Sequence, residues 1–321
     1  MAHRLQQGDG MTSCDRIEPQ QTTLAGTVRL TGIGLHSGRP VAMELRPAAA
    51  DTGVRFERSD LPGGPELVAR PASIHSARLC TVLGRNGTRV ATVEHLLGAL
   101  YALGVDNLRV VIDAGELPIL DGSAEPFVEA VRRTGQQRLA ARRTFLRVKH
   151  AVAVRDGDRF IRVGPARRLS IDCSVDFDHP LVSAQRHRCR VSAAAFERDI
   201  APARTFGFLA DVERLQRAGL ALGGSLDNAV VIDRFAVLNP GGLRFPDECV
   251  RHKLLDILGD LALLGHPLLG RVSAHKSGHD LHHRLIRTLA AQADCLEAVQ
   301  LEPEALPDES PAVAEPGLQS A

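Results

Sequence analysis

Apolar and polar positions along this chain fall into two rhythms, one helical and one strand-like, and glycines punctuate the changes between them. Residues 24–30 and 41–46 read as paired strands around the turn Thr31-Gly32-Ile33-Gly34-Leu35-His36-Ser37-Gly38. Residues 90–103 read as a helix that stops at Gly104, and 107–113 as a strand built on Leu108-Arg109-Val110-Val111-Ile112. A loop with Pro118 and Asp121-Gly122 follows, then a helix over 124–134 ended by Gly135. The second half runs through the same order: a helix over 248–264 ended by Gly265, a strand over 268–274, a Ser277-Gly278 loop and a helix over 280–291. Two similar α+β domains are expected, 21–140 and 141–302, joined at the basic stretch 140–143. Two stretches interrupt this order. Residues 56–77 are rich in Pro, Gly and charge. Residues 205–233 hold a short amphipathic helix over 209–218, then Gly219, Gly223-Gly224 and the apolar strand Ala229-Val230-Val231-Ile232. An apolar helix and strand beside an active site suit a channel for a greasy substrate. Residues 1–20 and 303–321 read as a disordered leader and a flexible tail.

Composition narrows the function classes. The 321 residues suffice for two modest domains and a cleft between them. With 39 basic and 38 acidic residues the net charge is +1, and aromatic content is 3%, with no Trp and one Tyr. The balanced charge and the scarcity of stacking platforms argue against nucleic acid as a partner. The six cysteines are scattered without a C-x-x-C pair, so free thiols in a reducing compartment are expected, not a zinc finger or a disulfide framework. The leader lacks an apolar core and no apolar run approaches membrane-span length, so a cytoplasmic protein is expected.

Two short stretches carry the chemistry. Arg251-His252-Lys253-Leu254-Leu255-Asp256 puts an imidazole and a carboxylate four residues apart, on one face of a helix. Thr92-Val93-Glu94-His95 puts a carboxylate beside a histidine at the start of another apolar segment. Together His95, His252 and Asp256 make a three-ligand metal set with a position left for water, and Glu94 is a candidate general base. Alone, each stretch reads equally well as a helix-face hydrogen bond or a helix start; only their combination points to a zinc hydrolase. Asp260, one turn after Asp256, either orients a histidine in the same groove or lies on the helix surface. In His275-Lys276-Ser277-Gly278-His279-Asp280-Leu281-His282-His283, His279 follows a Ser-Gly turn at a helix start, a place for a cationic acid or oxyanion stabiliser. His275, His282 and His283 read as surface histidines. Arg204-Thr205-Phe206-Gly207-Phe208 offers a hydroxyl donor or a plain strand end. The Gly32–Gly38 run reads as a turn, since it does not lead from a strand into a helix with a later ribose-binding acid.

Taken in order, these motifs resemble the UDP-3-O-acyl-N-acetylglucosamine deacetylase family of bacterial lipid A synthesis. The likeness rests on Gly32-Ile-Gly-Leu-His36-Ser-Gly38, Thr92-Val-Glu-His95-Leu, Pro118-Ile-Leu-Asp121-Gly-Ser, Arg204-Thr-Phe-Gly-Phe208, Gly223-Gly-Ser225, Arg251-His-Lys-Leu-Leu-Asp256 and His275-Lys-Ser-Gly-His279. It implies two domains, each a β-sheet packed on two helices, with the helices sandwiched between the sheets. It implies a catalytic zinc, with iron(II) as the alternative, on His95, His252 and Asp256, and Glu94 as general base. His279 would be the acid or oxyanion stabiliser oriented by Asp260, with Thr205 donating to the oxyanion and Lys253 contacting substrate. A UDP-acyl-sugar would lie along Phe206, with Arg159 and Lys276 near its diphosphate and Phe177 near its uracil. Leu209, Val212, Leu215, Ala221 and Leu226 would face its acyl chain. Leu226 stands where an aromatic is common in the family, Arg159 where lysine is, and His282 and His283 where polar amides are. A monomer is expected. The alternatives are a zinc amidase for another N-acyl substrate and a non-catalytic binding protein on the same fold.

Overall fold

The computed structural model describes residues 18–77, 79–292 and 294–301. The expected leader up to residue 17, the expected tail and Cys14 lie outside the described residues. In the first half a five-stranded sheet forms in the order β2 (Val28–Ile33), β3 (Pro40–Pro47), β9 (Leu108–Ile112), β4 (Val54–Arg58) and β5 (Glu66–Val68). Burial alternates along β3, so Val41, Met43 and Leu45 point to the core and their neighbours do not. That apolar face meets α1 (Glu94–Leu103) and α2 (Glu125–Thr134), whose Leu96, Leu97, Leu100, Phe127 and Val131 share its core cluster.

The second half is organised around β18 (Leu268–His275). It pairs antiparallel with β13 (Arg159–Pro165) and parallel with β14 (Ser170–Val175) and β11 (Thr144–Val148). Around these lie β12 (Val152–Asp156), β15 (Gln185–Arg190) and β19 (Leu296–Gln300), seven strands in all. The helices α5 (Glu248–Leu261) and α6 (His279–Ala291) cover this sheet, and α3 (Ala193–Asp199) packs against α1. The mixed α+β architecture is the expected one, with helices of both halves meeting in the middle.

The central contact is α1 on α5, and two glycines allow it. A Cβ on Gly259 would lie 2.1 Å from the carbonyl oxygen of Glu94, and one on Gly98 would lie 2.8 Å from Leu255 Cδ1. Backbone therefore meets backbone where the Glu94-His95 and His252–Asp256 motifs face each other.

Several local expectations are corrected. The strand over 24–30 is two strands, because the chain turns at 25–27: β1 (Gln20–Leu24) leaves to pair with β10 (Gln136–Arg142), and β2 begins at Val28. The helix over 90–103 starts later. Val90 belongs to β8 (Thr88–Ala91), and Thr92, at φ 59, sits in the left-handed region that a helix cannot pass through. The helix over 248–264 ends its α-helical part at Leu261 and tightens to a 3-10 turn before Gly265. The helix over 280–291 begins one residue earlier, at His279. Residues 56–77, rich in Pro, Gly and charge, carry the end of β4, β5 and β6 (Ile74–Ser76), and β6 pairs with β7 (Val82–Arg85), which pairs with β8. The 205–233 stretch holds β16 (Phe206–Phe208) parallel to β17 (Val230–Ile232), with α4 (Leu209–Arg217) between them. Cys80, Cys173, Cys189, Cys249 and Cys295 are buried free thiols. Among the described residues no helix is long and apolar enough to cross a membrane.

Candidate metal centre and active site

The α1–α5 crossing brings Glu94 and His95, in the first turn of α1, against the face of α5 that carries His252 and Asp256. His279 arrives from the first turn of α6. These residues line a cavity of about 110 Å³ together with Leu35, His36, Leu79, Cys80, Thr92, Thr205, Phe206 and Lys253. One ligand atom each of His95, His252 and Asp256 lies within 4.8 Å of the others, and all three residues are buried. The two imidazoles meet edge-on at 4.9 Å between centroids, and His252 Nε2 is 3.4 Å from Asp256 Oδ1. His252 Nδ1 lies 3.0 Å from the carbonyl oxygen of Ala203 and donates its proton there, which leaves Nε2 as the free lone pair.

The donor set fits a divalent metal. Burial lowers the pKa of His95 to about 3 and also lowers that of His252, so both imidazoles are neutral, with a nitrogen lone pair to offer, at pH 7. Burial works against the charge of Asp256, but Lys253 and His252 outweigh it and hold the carboxyl well below its usual range. Two neutral nitrogens and one carboxylate oxygen are a set that zinc takes readily. Glu94 differs: burial pushes its carboxyl up to about 8, its Oε2 accepts from Thr81 N at 3.1 Å, and its Oε1 is 3.7 Å from His279 Nε2. Burial also opposes the charge of His279, yet the Asp260, Asp256 and Glu94 carboxylates overcome it and raise the ring to about 10. The cavity thus has a proton-poor side, with two neutral imidazoles and an ionised aspartate, and a side on which Glu94, whose carboxyl burial makes a stronger proton holder than usual, faces an imidazolium.

Asp260 is wholly buried, with Oδ2 at 2.7 Å from His279 Nδ1. The surface reading of Asp260 is excluded. The surface reading of His282 and His283 is overturned too: each is 2% exposed and each ring reaches Asp260. Their polar character in a helix otherwise rich in Leu and Ile looks like a solvated face until the buried acid opposite them is known. His275 is half-buried and 2.9 Å from Ser174 Oγ.

Close contacts explain the glycine motifs. A Cβ on Gly34 would lie 2.4 Å from Glu116 Oε2, and one on Gly223 would lie 2.3 Å from the carbonyl oxygen of Gly34. The turn is pinned by Glu116, which accepts from His36 N and Ser37 N at 2.8 and 2.9 Å and from the Thr92 hydroxyl at 3.1 Å. Gly122 accepts from Thr205 N at 2.8 Å, and a Cβ on it would lie 2.0 Å from the carbonyl oxygen of Asn228. Thr205 is thereby held at the cavity wall. Arg204 beside it forms a buried pair with Glu248 at 2.8 Å, and Glu248 also accepts from the backbone N–H groups of Arg204 and Arg244. Replacing Arg204 with Met leaves that carboxylate without its cation, and a loss of about 3–5 kcal/mol in stability by denaturant titration is expected.

Lys253 donates to Asp256 Oδ2 at 2.7 Å, and its ammonium lies 5.7 Å from the Phe206 ring centre. Phe206 also meets His252 edge-on at 6.3 Å. The remaining expected substrate contacts lie outside the small cavity. Phe177 packs edge-on against Phe206 and Phe208 at 5.6 and 5.4 Å. Arg159 forks onto both oxygens of Asp280 at 2.7 Å, and Lys276 pairs with Asp158 and Asp176 at 3.0 and 3.3 Å. No residue of α4 is buried, so Leu209, Val212 and Leu215 are only partly covered, and Leu226 is 40% exposed while Ala221 is buried. Sequence reasoning missed Thr81 and Glu116, isolated polar residues without a spacing signal. It took His36 only as part of a turn, although both its ring nitrogens are buried at the cavity wall with no hydrogen-bond partner among the described residues.

Comparison with known proteins bears on this arrangement. Three curated relatives carry the name UDP-3-O-acyl-N-acetylglucosamine deacetylase. The one from Anaeromyxobacter sp. (strain Fw109-5) is 50% identical over 285 residues, 89% of this chain and 93% of the relative. The one from Syntrophotalea carbinolica is 46% identical over 280 residues, 87% and 91% of the two chains. The one from Thioalkalivibrio sulfidiphilus is 48% identical over 287 residues, 89% and 94%. Residues 21–291 match the family model described as LpxC: UDP-3-O-acyl N-acetylglycosamine deacetylase. With the match covering nearly every element that builds the cavity, the chain belongs to the LpxC family of UDP-3-O-acyl N-acetylglycosamine deacetylases.

Proposed function

We propose that this chain hydrolyses the N-acetyl amide of UDP-3-O-(3-hydroxyacyl)-N-acetylglucosamine, giving acetate and the free amine, the committed step of lipid A biosynthesis. The observation that carries the reading is the meeting of the buried His95, His252 and Asp256 with Glu94 and His279 in one cavity. His95, His252 and Asp256 would hold zinc, with iron(II) as the alternative. The metal supplies Lewis acidity, lowering the pKa of water toward about 7 and polarising a carbonyl.

The chain's own groups do the rest. Glu94 takes the proton of the attacking water, since it is the one carboxylate of the cavity outside the ligand set. Thr205 donates to the oxygen of the former carbonyl as charge develops on it. His279 stabilises that charge or delivers a proton from Nε2 to the departing amine, as Glu94 also can by returning the one it took. Asp260 keeps the His279 ring turned so that Nε2 faces the cavity. Lys253 keeps Asp256 ionised and presents its ammonium at the wall. Phe206, Phe177, Arg159 and Lys276 would border the nucleotide side. Leu209, Val212, Leu215, Ala221 and Leu226 would border the acyl chain, whose burial on α4 fits the partly covered apolar side chains there. The same reading divides the chain near residue 140 and places a monomer in the cytoplasm.

Mass spectrometry of UDP-3-O-(3-hydroxyacyl)-N-acetylglucosamine after incubation with zinc-loaded protein tests the reaction, with a chelator-treated control. Loss of the acetyl group alone is expected, abolished by the chelator and restored by added zinc. An unchanged substrate with metal still bound would mean that another amide is the substrate. His95→Ala is expected to lose bound metal, and a fully loaded variant would remove His95 from the ligand set.

A further inference from the structure

Four donors converge on the carboxylate of Asp260. Oδ2 lies 2.7 Å from both His279 Nδ1 and His282 Nδ1. Oδ1 accepts from the Thr81 hydroxyl and lies 3.3 Å from His283 Nε2, which is also 2.9 Å from the Thr81 oxygen. His279, His282 and His283 stand at i, i+3 and i+4 of α6, so the three rings leave the helix on one face. Their far ends differ. His279 Nε2 faces the cavity, His282 Nε2 meets Ser277 Oγ at 2.9 Å, and His283 Nδ1 is buried without a partner among the described residues.

We propose that His282 and His283 are positioning residues for the reaction, holding the Asp260 carboxylate in the orientation that keeps His279 Nε2 turned into the cavity. The inference rests on the role given above to His279. An aspartate χ2 torsion is broad and roughly two-fold, so a carboxylate engaged by one imidazole alone turns with little resistance. Here both oxygens are held, from α6 and from Thr81, and turning would break contacts on each oxygen at once. His282 secures Oδ2, the oxygen that holds His279, while His283 secures Oδ1 both directly and through the Thr81 oxygen.

The two rings use different nitrogens, which gives a crossed test. Histidine Nδ1 is as far along the side chain as the amide nitrogen of asparagine, and Nε2 as far as that of glutamine. His282→Asn therefore keeps the donor to Asp260 and His282→Gln loses it. For His283 the pattern inverts: Gln keeps the donor and Asn loses it. We expect His282→Gln and His283→Asn to lower kcat by about 10–100-fold with KM unchanged. His282→Asn and His283→Gln should stay within about threefold of wild type, because the contact to Asp260 survives. Ser277→Ala, which removes only the far partner of His282, should leave kcat as it is. Equal effects of Asn and Gln at each position, or a change in KM instead of kcat, would overturn the proposal. So would a loss of kcat in His282→Asn or His283→Gln with the melting temperature and bound metal unchanged, which keeps the test alive even where the other two variants fail to fold. His279→Ala separates the two levels: wild-type turnover there removes the role of His279 itself, whereas an inactive His279→Ala with an uncrossed pattern overturns this inference alone.

Discussion

Glu94→Gln is expected to keep its metal and lose its turnover, with kcat falling by about 10²–10⁴-fold. Glu94 is buried in the first turn of α1, next to His95 in sequence but outside the ligand set. Glutamine fills the same volume and its amide oxygen still accepts from Thr81 N, so the packing survives. What disappears is the carboxylate that takes the proton from water, while His279, 3.7 Å from Glu94 Oε1, remains. Steady-state kinetics together with metal analysis of the purified variant decide the matter. Wild-type kcat would remove Glu94 as the base, and loss of metal would move it into the ligand set.

Gly259→Ala should destabilise the protein by about 1–3 kcal/mol or more, the cost of overpacking a tight contact. The sign makes this informative, because the same change in an ordinary helix interior stabilises by about 1 kcal/mol. Here the new methyl would lie 2.1 Å from the carbonyl oxygen of Glu94, a backbone atom that no rotamer change can move away. Relief requires α1 to shift against α5, and such a shift carries Glu94 and His95 away from His252 and Asp256. Lower thermal stability and weaker metal binding should therefore appear together. A variant as stable as wild type, with full metal occupancy, would show that the two helices do not approach so closely.

The two motifs that meet in the cavity were legible in the sequence because their geometry is local. His252 and Asp256 are one helical turn apart, and Glu94 and His95 are adjacent, so each pair could be seen before the fold was known. The partners that organise the site have no such spacing. Thr81 lies ahead of a short strand, far in sequence from the Asp260 that it binds, and Glu116 stands in a loop while it pins another loop. His282 and His283 share the helical period of the apolar residues around them, and only the position of Asp260 shows that their face points inward. The break at residues 25–27 escaped notice for a similar reason. The apolar positions continue across it, and what divides the strand is the pairing of β1 with a partner more than a hundred residues away.

Thr81 and Asp260 are 179 positions apart, and Thr81 and His283 are 202 apart. A growing chain emerges at about 5–20 residues per second, so Thr81 waits on the order of ten seconds or longer for its partners to be synthesised. During that interval the first half carries Glu94, His95 and Gly98 on a helix face with nothing to cover it. Contacts this distant also form slowly once the chain is complete, since the entropy of closing such long loops is lost before the contacts compensate for it. The site is therefore assembled last, and the nascent first half is the stage at which the chain is most open to mispairing or capture by a chaperone.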